Sequence, residues 1–160
     1  MNANANNSLD KKYRFTEPLE MNRSTHFGNN YWIFRSRKLK RRVTAFSNIE
    51  YWHLVTLEMN PSVEYYCEQP LSVEVSVDGE NRKTVFDAWV LFVDGTEEYR
   101  EVKDSAELER QDKRAERDFR QISAQETWCR LNDKKYRLIT DKDLLLGPEY
   151  MRNLTYLMPK

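Results

Sequence analysis

The sequence has few cysteines and no long apolar run, and these absences exclude several classes of protein. Its two cysteines, Cys67 and Cys129, lack metal-ligand spacing and are too few for a disulfide framework, so we expect both to be reduced and mostly buried. No stretch reaches the roughly eighteen apolar residues of a membrane-spanning helix, and the Asn-rich start lacks the apolar core of a secretion signal. We therefore expect a cytoplasmic protein without a membrane partner.

The chain also lacks a net charge, but its 26 basic and 26 acidic side chains are unevenly distributed. Residues 1–49 carry ten Lys and Arg against three Asp and Glu, and residues 50–160 carry sixteen against twenty-three. A polyanion partner is one explanation of the basic excess, and a solvated linker without a ligand is the other. The candidate phosphate-binding residues are Arg35, Arg37, Lys38, Lys40, Arg41 and Arg42.

With 160 residues, 39% of them apolar, the chain is long enough for one domain with a core and too short to expect two. We predict a flexible N-terminal segment over residues 1–30 and a single domain over residues 31–160. The basic cluster at residues 35–42 forms an arm of that domain, which we call the basic arm.

Hydrophobic periodicity predicts an α/β chain in the order helix, three strands, helix, strand. The predicted ranges are a helix over 47–59, strands over 71–77, 83–93 and 96–103, a helix over 105–131 and a strand over 135–140. The first three strands form an antiparallel meander, and the helical crossover makes the last strand parallel to a neighbour. The result is a mixed central sheet flanked by helices. Residues 63–67 are expected to be extended.

The most informative stretch carries Asp87 on one predicted strand and Glu101 and Lys103 on its hairpin partner. If these side chains converge, the carboxylates suit a hard divalent cation such as Mg²⁺. The lysine would add a positive charge where a phosphate gathers charge during hydrolysis. Asp87 lies in an apolar segment, where its charge is costly unless a metal or Lys103 neutralises it.

Convergence depends on the loop that joins these two strands. A two-residue loop at Asp94-Gly95 turns Asp87 and Glu101 to opposite faces of the hairpin. A three-residue loop that begins at Val93, with Gly95 as a left-handed bulge, turns both acids to the same face. Both loops suit this sequence. A nuclease site of this kind therefore requires the bulged register or its equivalent.

A third acid, Glu50, follows Ser47 in the Ser-x-x-Glu pattern of a helix capping box. From periodicity alone, a capping role explains Glu50 better than a catalytic one.

The ordered motifs together resemble one protein family. They are Ser47-x-Ile-Glu50, Glu68-Gln69-Pro70, Phe86-Asp87, Asp94-Gly95 and Glu101-Val102-Lys103. This series resembles the catalytic N-terminal domain of the TnsA family, the endonuclease subunits of heteromeric cut-and-paste bacterial transposons. The resemblance covers roughly residues 43–158 and implies a restriction-endonuclease-like core of the PD-(D/E)xK superfamily. Members commonly have Pro where this chain has Phe86, a residue that the chemistry does not require.

The resemblance also implies an activity, which is metal-dependent hydrolysis of one DNA strand at transposon ends. The implied cofactor is Mg²⁺, for which Mn²⁺ would substitute. The implied metal ligands are Glu50, Asp87, Glu101 and the backbone carbonyl of Val102, and the implied catalytic lysine is Lys103. Gln69 matches a recurrent family residue near the site, with a positioning role at most.

The implied partners are double-stranded DNA and a DDE-type transposase subunit that acts on the other strand. The family's regulatory ATPase is associated with a further C-terminal domain, so the resemblance, which ends within these 160 residues, does not extend to that contact. Two other functions fit the same motifs. One is a stand-alone restriction or junction-cleaving nuclease, and the other is a nuclease-like subunit that binds DNA without cleaving it.

Overall fold

The computed structural model describes residues 12–21 and 31–144, together with residues 149, 152, 153 and 156. The strands of this part are β1 (Trp32–Arg35), β2 (Arg42–Ala45), β3 (Val63–Glu68), β4 (Ser72–Val77), β5 (Glu80–Val85), β6 (Ala88–Phe92), β7 (Glu97–Lys103) and β8 (Tyr136–Thr140). Its helices are α1 (Asn48–Met59), α2 (Ser105–Leu108), α3 (Lys113–Leu131) and α4 (Asp141–Leu144). The chain is α/β, as predicted.

The central sheet has the strand order β3-β6-β7-β8. Strands β3, β6 and β7 are antiparallel, and β8 pairs parallel with β7 after the helical crossover. The predicted mixed sheet is therefore confirmed. Its third antiparallel strand is β3 rather than the predicted strand over residues 71–77, which instead forms the separate β4–β5 hairpin.

The predicted strand over residues 83–93 is broken at Phe86 and Asp87, between β5 and β6. Phe86 is fully buried, with its ring 5.2 Å from that of Tyr99 and 5.6 Å from that of Trp128. Asp87 leaves the ladder, and its carboxylate accepts a hydrogen bond from the backbone N–H of Val102 at 2.7 Å. The break lets one continuous segment pair first with β4 and then with the central sheet.

Alternate side chains of β7 reach different helices, because successive strand residues point to opposite faces of a sheet. The ring of Tyr99 lies 5.6 Å from Trp128 of α3. Its neighbour Arg100 reaches the other face, where its guanidinium is 3.2 Å from the ring of His53 on α1. The central sheet is therefore a middle layer with α1 on one face and α3 on the other.

The loop between β6 and β7 adopts the bulged form. The N–H of Phe92 donates a hydrogen bond across the loop to the carbonyl of Thr96 at 2.9 Å. Gly95 has a φ of 88°, in the left-handed region. The same register continues along the strands to the pair Ala88 and Arg100. This register turns Asp87 toward the face that carries Glu101.

Capping residues fix the ends of the helices. Ser47 accepts a hydrogen bond from the N–H of Glu50, as a capping box requires, but the Glu50 carboxylate binds the N–H of Phe46 rather than that of Ser47. The predicted helix over residues 105–131 is two helices, since the side chain of Asp112 caps a new one by accepting from the N–H groups of Arg114 and Ala115.

Residues 12–21, which are part of the N-terminal segment predicted over residues 1–30, make aromatic contacts with the domain. Tyr13 stacks on Tyr65 with ring centroids 3.9 Å apart, and Phe15 meets the edge of Trp89. These aromatic contacts join the segment to the core. Residues 1–11 and 22–30 lie outside the described residues. Within the described part of the chain, no helix has the length and apolar character needed to cross a membrane.

Candidate active site

A cavity of about 580 Å³ lies where the break before β6 meets the end of β7. We call it the carboxylate cavity. The predicted site residues that line it are Glu50, Gln69, Asp87, Glu101, Val102 and Lys103. Side chains from α1, from the segment before β6 and from β7 are thus brought together, and the basic arm does not take part.

Asp87 is held in the carboxylate cavity from two sides. Its own N–H donates to the carbonyl of Arg100 at 3.0 Å, while its carboxylate accepts from the N–H of Val102 at 2.7 Å. Its carbonyl accepts from the N–H of Gln69 at 3.0 Å, and Gln69 has the positive φ of 35°. The sharp turn at Gln69, directly after β3, therefore fixes the backbone on which Asp87 stands.

Glu101 is 2% exposed, and each of its two carboxylate oxygens has a partner. Oε1 lies 3.2 Å from Nζ of Lys103, and Oε2 accepts from the amide of Gln125 at 2.7 Å. Gln125 is itself fully buried on α3, and its own oxygen accepts from the hydroxyl of Tyr136 at 2.8 Å. The orientation of Glu101 is therefore set by a chain of hydrogen bonds through the core.

Lys103 is surrounded by oxygen acceptors from two elements. Besides Glu101, its Nζ lies 3.2 Å from Asp118 and 3.1 Å from the side-chain oxygen of Gln121, both on α3. Burial lowers the pKa of Lys103, but the charges of Glu101, Asp87 and Asp118 outweigh it and raise the pKa. The lysine is therefore a fixed positive charge at the cavity wall.

The three carboxyl groups disfavour one another's ionised form. Burial, and next the charge of Glu50, raise the pKa of Asp87 to about 8. Burial, and next the charge of Asp87, raise the pKa of Glu101 to about 8. Burial also raises the pKa of Glu50, to which the charge of Glu101 adds, against the hydrogen bond from Phe46. Such a cluster gains from any added positive charge.

The donor set fits a small divalent cation that keeps part of its water. Within the described parts of the chain, no group of three His, Cys, Asp or Glu side chains is arranged to hold a metal ion. A closed cage, in which protein atoms supply all the ligands, is thus not seen among these residues. Mg²⁺ needs no such cage, since it typically takes one or two carboxylates and retains several waters. Carboxylates raised in pKa by their neighbours, beside a carbonyl such as that of Val102, are donors of that kind.

Two members of the predicted basic arm are used inside the fold. Nζ of Lys38 donates to the carbonyls of Leu57 and Val63 at 2.9 and 2.7 Å. Arg41 forms a two-pronged ion pair with Glu68, at 2.6 and 2.8 Å. The exposed members of the arm are Arg35, Arg37, Lys40 and Arg42. These four residues are therefore the members of the arm that remain candidates for binding DNA phosphates.

Several site residues escaped the sequence reasoning. Asp118, Gln121 and Gln125 lie on one face of α3 at helical spacing, but their helix is so rich in mixed charge that a solvated face is the favoured explanation from sequence. The cavity also has cationic walls formed by Arg82 and Lys83 of β5 and Arg117 of α3. No motif marks these residues. They line the same cavity only because β5 packs against α3 in the folded protein.

A mixed sheet with acids and a lysine gathered at the end of its hairpin defines a restriction-endonuclease-like nuclease core. The chain belongs to the family described as TnsA-like endonuclease N terminal, which residues 60–141 match. The matched region contains Gln69, Asp87, Glu101 and Lys103, whereas Glu50 precedes it. No curated protein matches the chain.

Proposed function

We propose that this protein is a divalent-metal-dependent endodeoxyribonuclease that hydrolyses one strand at transposon ends, as a subunit of a heteromeric cut-and-paste transposase. One observation carries the proposal. Asp87, Glu101 and Lys103 lie in the region that matches the TnsA-like family and line a single cavity together with Glu50. Family membership supports the nuclease class and the partnership with a transposase, and the clustered carboxylates support the metal.

Each site residue has a role that follows from its contacts. Asp87 and Glu101, with the carbonyl of Val102, would hold Mg²⁺ or Mn²⁺ directly, and Glu50 would bind it through one of the retained waters. The bound ion would polarise the scissile phosphate and lower the pKa of a bound water. Lys103 is kept protonated by its acidic neighbours, so it can orient the water or offset the charge that develops on the phosphate.

The exposed side chains of the basic arm would contact DNA phosphates away from the acids. Such contacts increase affinity without carrying sequence information. The position of the cut would therefore be chosen by a partner. The family match supports a transposase partner in general, and a DDE-type subunit is the one that we propose.

The test is nicking of a supercoiled plasmid and of a transposon-end duplex, with and without the transposase subunit. We expect nicked product with Mg²⁺ or Mn²⁺ and none in EDTA. Asp87→Ala and Lys103→Ala should each lower the rate by about 100-fold or more, since each removes charge stabilisation at the phosphate. Glu107→Gln alters an exposed acid of α2 away from the cavity and serves as the matched control.

Other outcomes would reject parts of the proposal. Cleavage that survives Asp87→Ala would reject this site assignment. Efficient metal-dependent nicking without the transposase would favour the stand-alone nuclease. Salt-sensitive DNA binding with no product under any metal would favour a subunit that binds DNA without cleaving it.

A further inference from the structure

The walls of the carboxylate cavity carry cations that the catalytic roles leave unused. Arg82 and Lys83 on β5 and Arg117 on α3 line the cavity with the acids. Lys83 and Arg117 are exposed, and among the described residues neither side chain has a hydrogen-bond or ion-pair partner. Arg82 pairs with Glu80 at 2.8 Å, an acid that is itself largely exposed.

These two walls are held to each other through Thr84. Its hydroxyl accepts from the amide of Gln125 at 3.1 Å and lies 3.4 Å from the amide of Gln121, both on α3. Lys83 directly precedes Thr84, and Arg117 directly precedes Asp118, which contacts Lys103. The backbone at both cations is therefore held by the same packing that holds Glu101 and Lys103.

A DNA strand that enters this cavity would add phosphate charges beside acids that already repel one another. Lys103 already forms ion pairs with Glu101 and Asp118, so these carboxylates partly neutralise its charge before any phosphate binds. Additional fixed cations would offset the repulsion, and guanidinium and ammonium groups are the side chains that bind phosphate oxygens.

No residue of the basic arm lines this cavity. Lys38 anchors the arm at Leu57, in the last turn of α1, whereas Glu50 lies in the first turn. Seven residues of helix correspond to about 10 Å, or roughly three nucleotides of one strand along the duplex axis. The Lys38 end of the arm and the cavity would therefore contact different phosphates.

We propose that Lys83 and Arg117, with Arg82 beside them, bind the phosphates that flank the scissile phosphate of the cleaved strand. The β4–β5 hairpin and α3 then form two opposite walls of the channel for that strand. The proposal rests on the proposed function, because it takes DNA as the substrate of the carboxylate cavity.

The test measures DNA binding without metal, so that it does not depend on cleavage. A labelled duplex is titrated in EDTA by fluorescence anisotropy over a series of salt concentrations. Lys83→Ala and Arg117→Ala should each weaken binding and reduce the slope of log K against log salt by about 0.9, and the double variant by about twice that. Arg130→Ala, on the exposed end of the same helix, is the matched control and should keep the wild-type slope.

Charge-conserving variants and the nicking assay complete the design. Lys83→Arg and Arg117→Lys should keep the wild-type slope, because each retains the positive charge. If the alanine variants lost slope through misfolding, the charge-conserving variants would not single out the charge as the cause. Wild-type slopes in both alanine variants, or no DNA binding by the wild type, would overturn the inference. Reduced slopes without metal-dependent nicking would support phosphate binding by these residues, but would reject the proposed function and with it the scissile phosphate between them. Nicking with unchanged slopes would reject the inference alone.

Discussion

Arg41 is a basic residue whose charge the fold already uses. Its guanidinium holds both oxygens of Glu68 and also donates to the carbonyl of Thr16 at 3.0 Å. Glu68 is 1% exposed, so Arg41→Ala would leave a buried carboxylate without its counter-charge. We expect the free energy of unfolding to fall by about 3–5 kcal/mol, measured by urea denaturation.

Arg42 provides the comparison, since it is the next residue and is exposed. Arg42→Ala should change the free energy of unfolding by no more than about 0.5 kcal/mol. If Arg41→Ala were equally mild and instead weakened DNA binding, the ion pair with Glu68 would not be structural and Arg41 would return to the phosphate-binding set.

At the residue scale, sequence motifs identified the acids and Lys103 as candidates but not the groups that hold them. Asp87 was predictable because an acid in an apolar strand needs a partner. Gln125 was not, because its helix carries many polar residues and a fully buried amide looks the same in sequence as an exposed one. Its importance depends on Tyr136 and Glu101, which lie far from it along the chain.

The β6–β7 hairpin permits a direct test of what fixes its register. Gly95 has a φ of 88°, and a Cβ there would have no atom within 4 Å. Gly95→Ala should therefore cost only backbone strain, about 1–2 kcal/mol by urea denaturation, and Gly95→Asn should cost less. We expect both variants to keep their nicking activity per folded molecule, because the buried pair of Trp89 and Tyr99 holds the strands in register.

The opposite result would locate the determinant in the loop itself. If Gly95→Ala remained folded but lost nicking, the strands would have slipped into the two-residue loop that turns Asp87 and Glu101 apart. The packing of Trp89 against Tyr99 would then stabilise the observed register by less than the strain that alanine introduces at position 95.

At the element scale, local patterns predicted the strands more reliably than their neighbours. The alternation over residues 71–77 is typical of a strand with one buried face, and β4 is such a strand. The sequence does not say what covers that face. Here α3 packs on the hairpin, while β3 takes the place beside β6. Strand pairing of this kind is decided by contacts between segments distant in sequence, which no single pattern records.

At the scale of the whole molecule, the order of elements was enough to predict a mixed sheet with a crossover. The uneven charge was less informative, because the front of the chain uses Lys38 and Arg41 internally. The cations at the carboxylate cavity come instead from the acidic part of the sequence. Net charge by segment therefore predicts a polyanion partner but not the surface that binds it.

The clustered carboxyls make the stability of the whole metal-free protein depend on pH. The pKa values of Asp87 and Glu101 are raised to about 8, against about 4 for such groups in an unfolded chain. A carboxyl with a raised pKa binds its proton more tightly in the folded state, so its stabilisation is complete below pH ~4 and is lost as the pH rises through about 8. As these two carboxyls ionise, the metal-free protein should therefore lose stability steadily from about pH 4 to about pH 8, with the loss complete by about pH 9.

His53 has the opposite dependence and limits the useful range. Burial, and next the charges of Arg100 and Arg137, lower its pKa to about 3. Its stabilisation is therefore present above the unfolded value of about 6.5 and is lost as the pH falls toward 3. Between about pH 6.5 and pH 8 the carboxyls should dominate the slope, because the buried thiols of Cys67 and Cys129, whose pKa values are raised to about 12, begin to contribute only where unfolded thiols ionise, near pH ~8.5.

Asp87→Asn tests whether the clustered carboxyls cause this pH dependence of the free energy of unfolding. It removes one charge but keeps an oxygen that can accept from the N–H of Val102, so the metal-free variant should be as stable as the wild type or more stable at pH ~8. Urea denaturation in EDTA should give a flatter pH profile for the variant. Adding Mg²⁺ should restore the stability of the wild type at that pH and have a smaller effect on the variant, because a ligand that binds the folded state stabilises it in proportion to its affinity. A loss of several kcal/mol in metal-free Asp87→Asn would instead mean that the carboxylate belongs to a buried structural pair, and no cation would then be needed to explain the cavity.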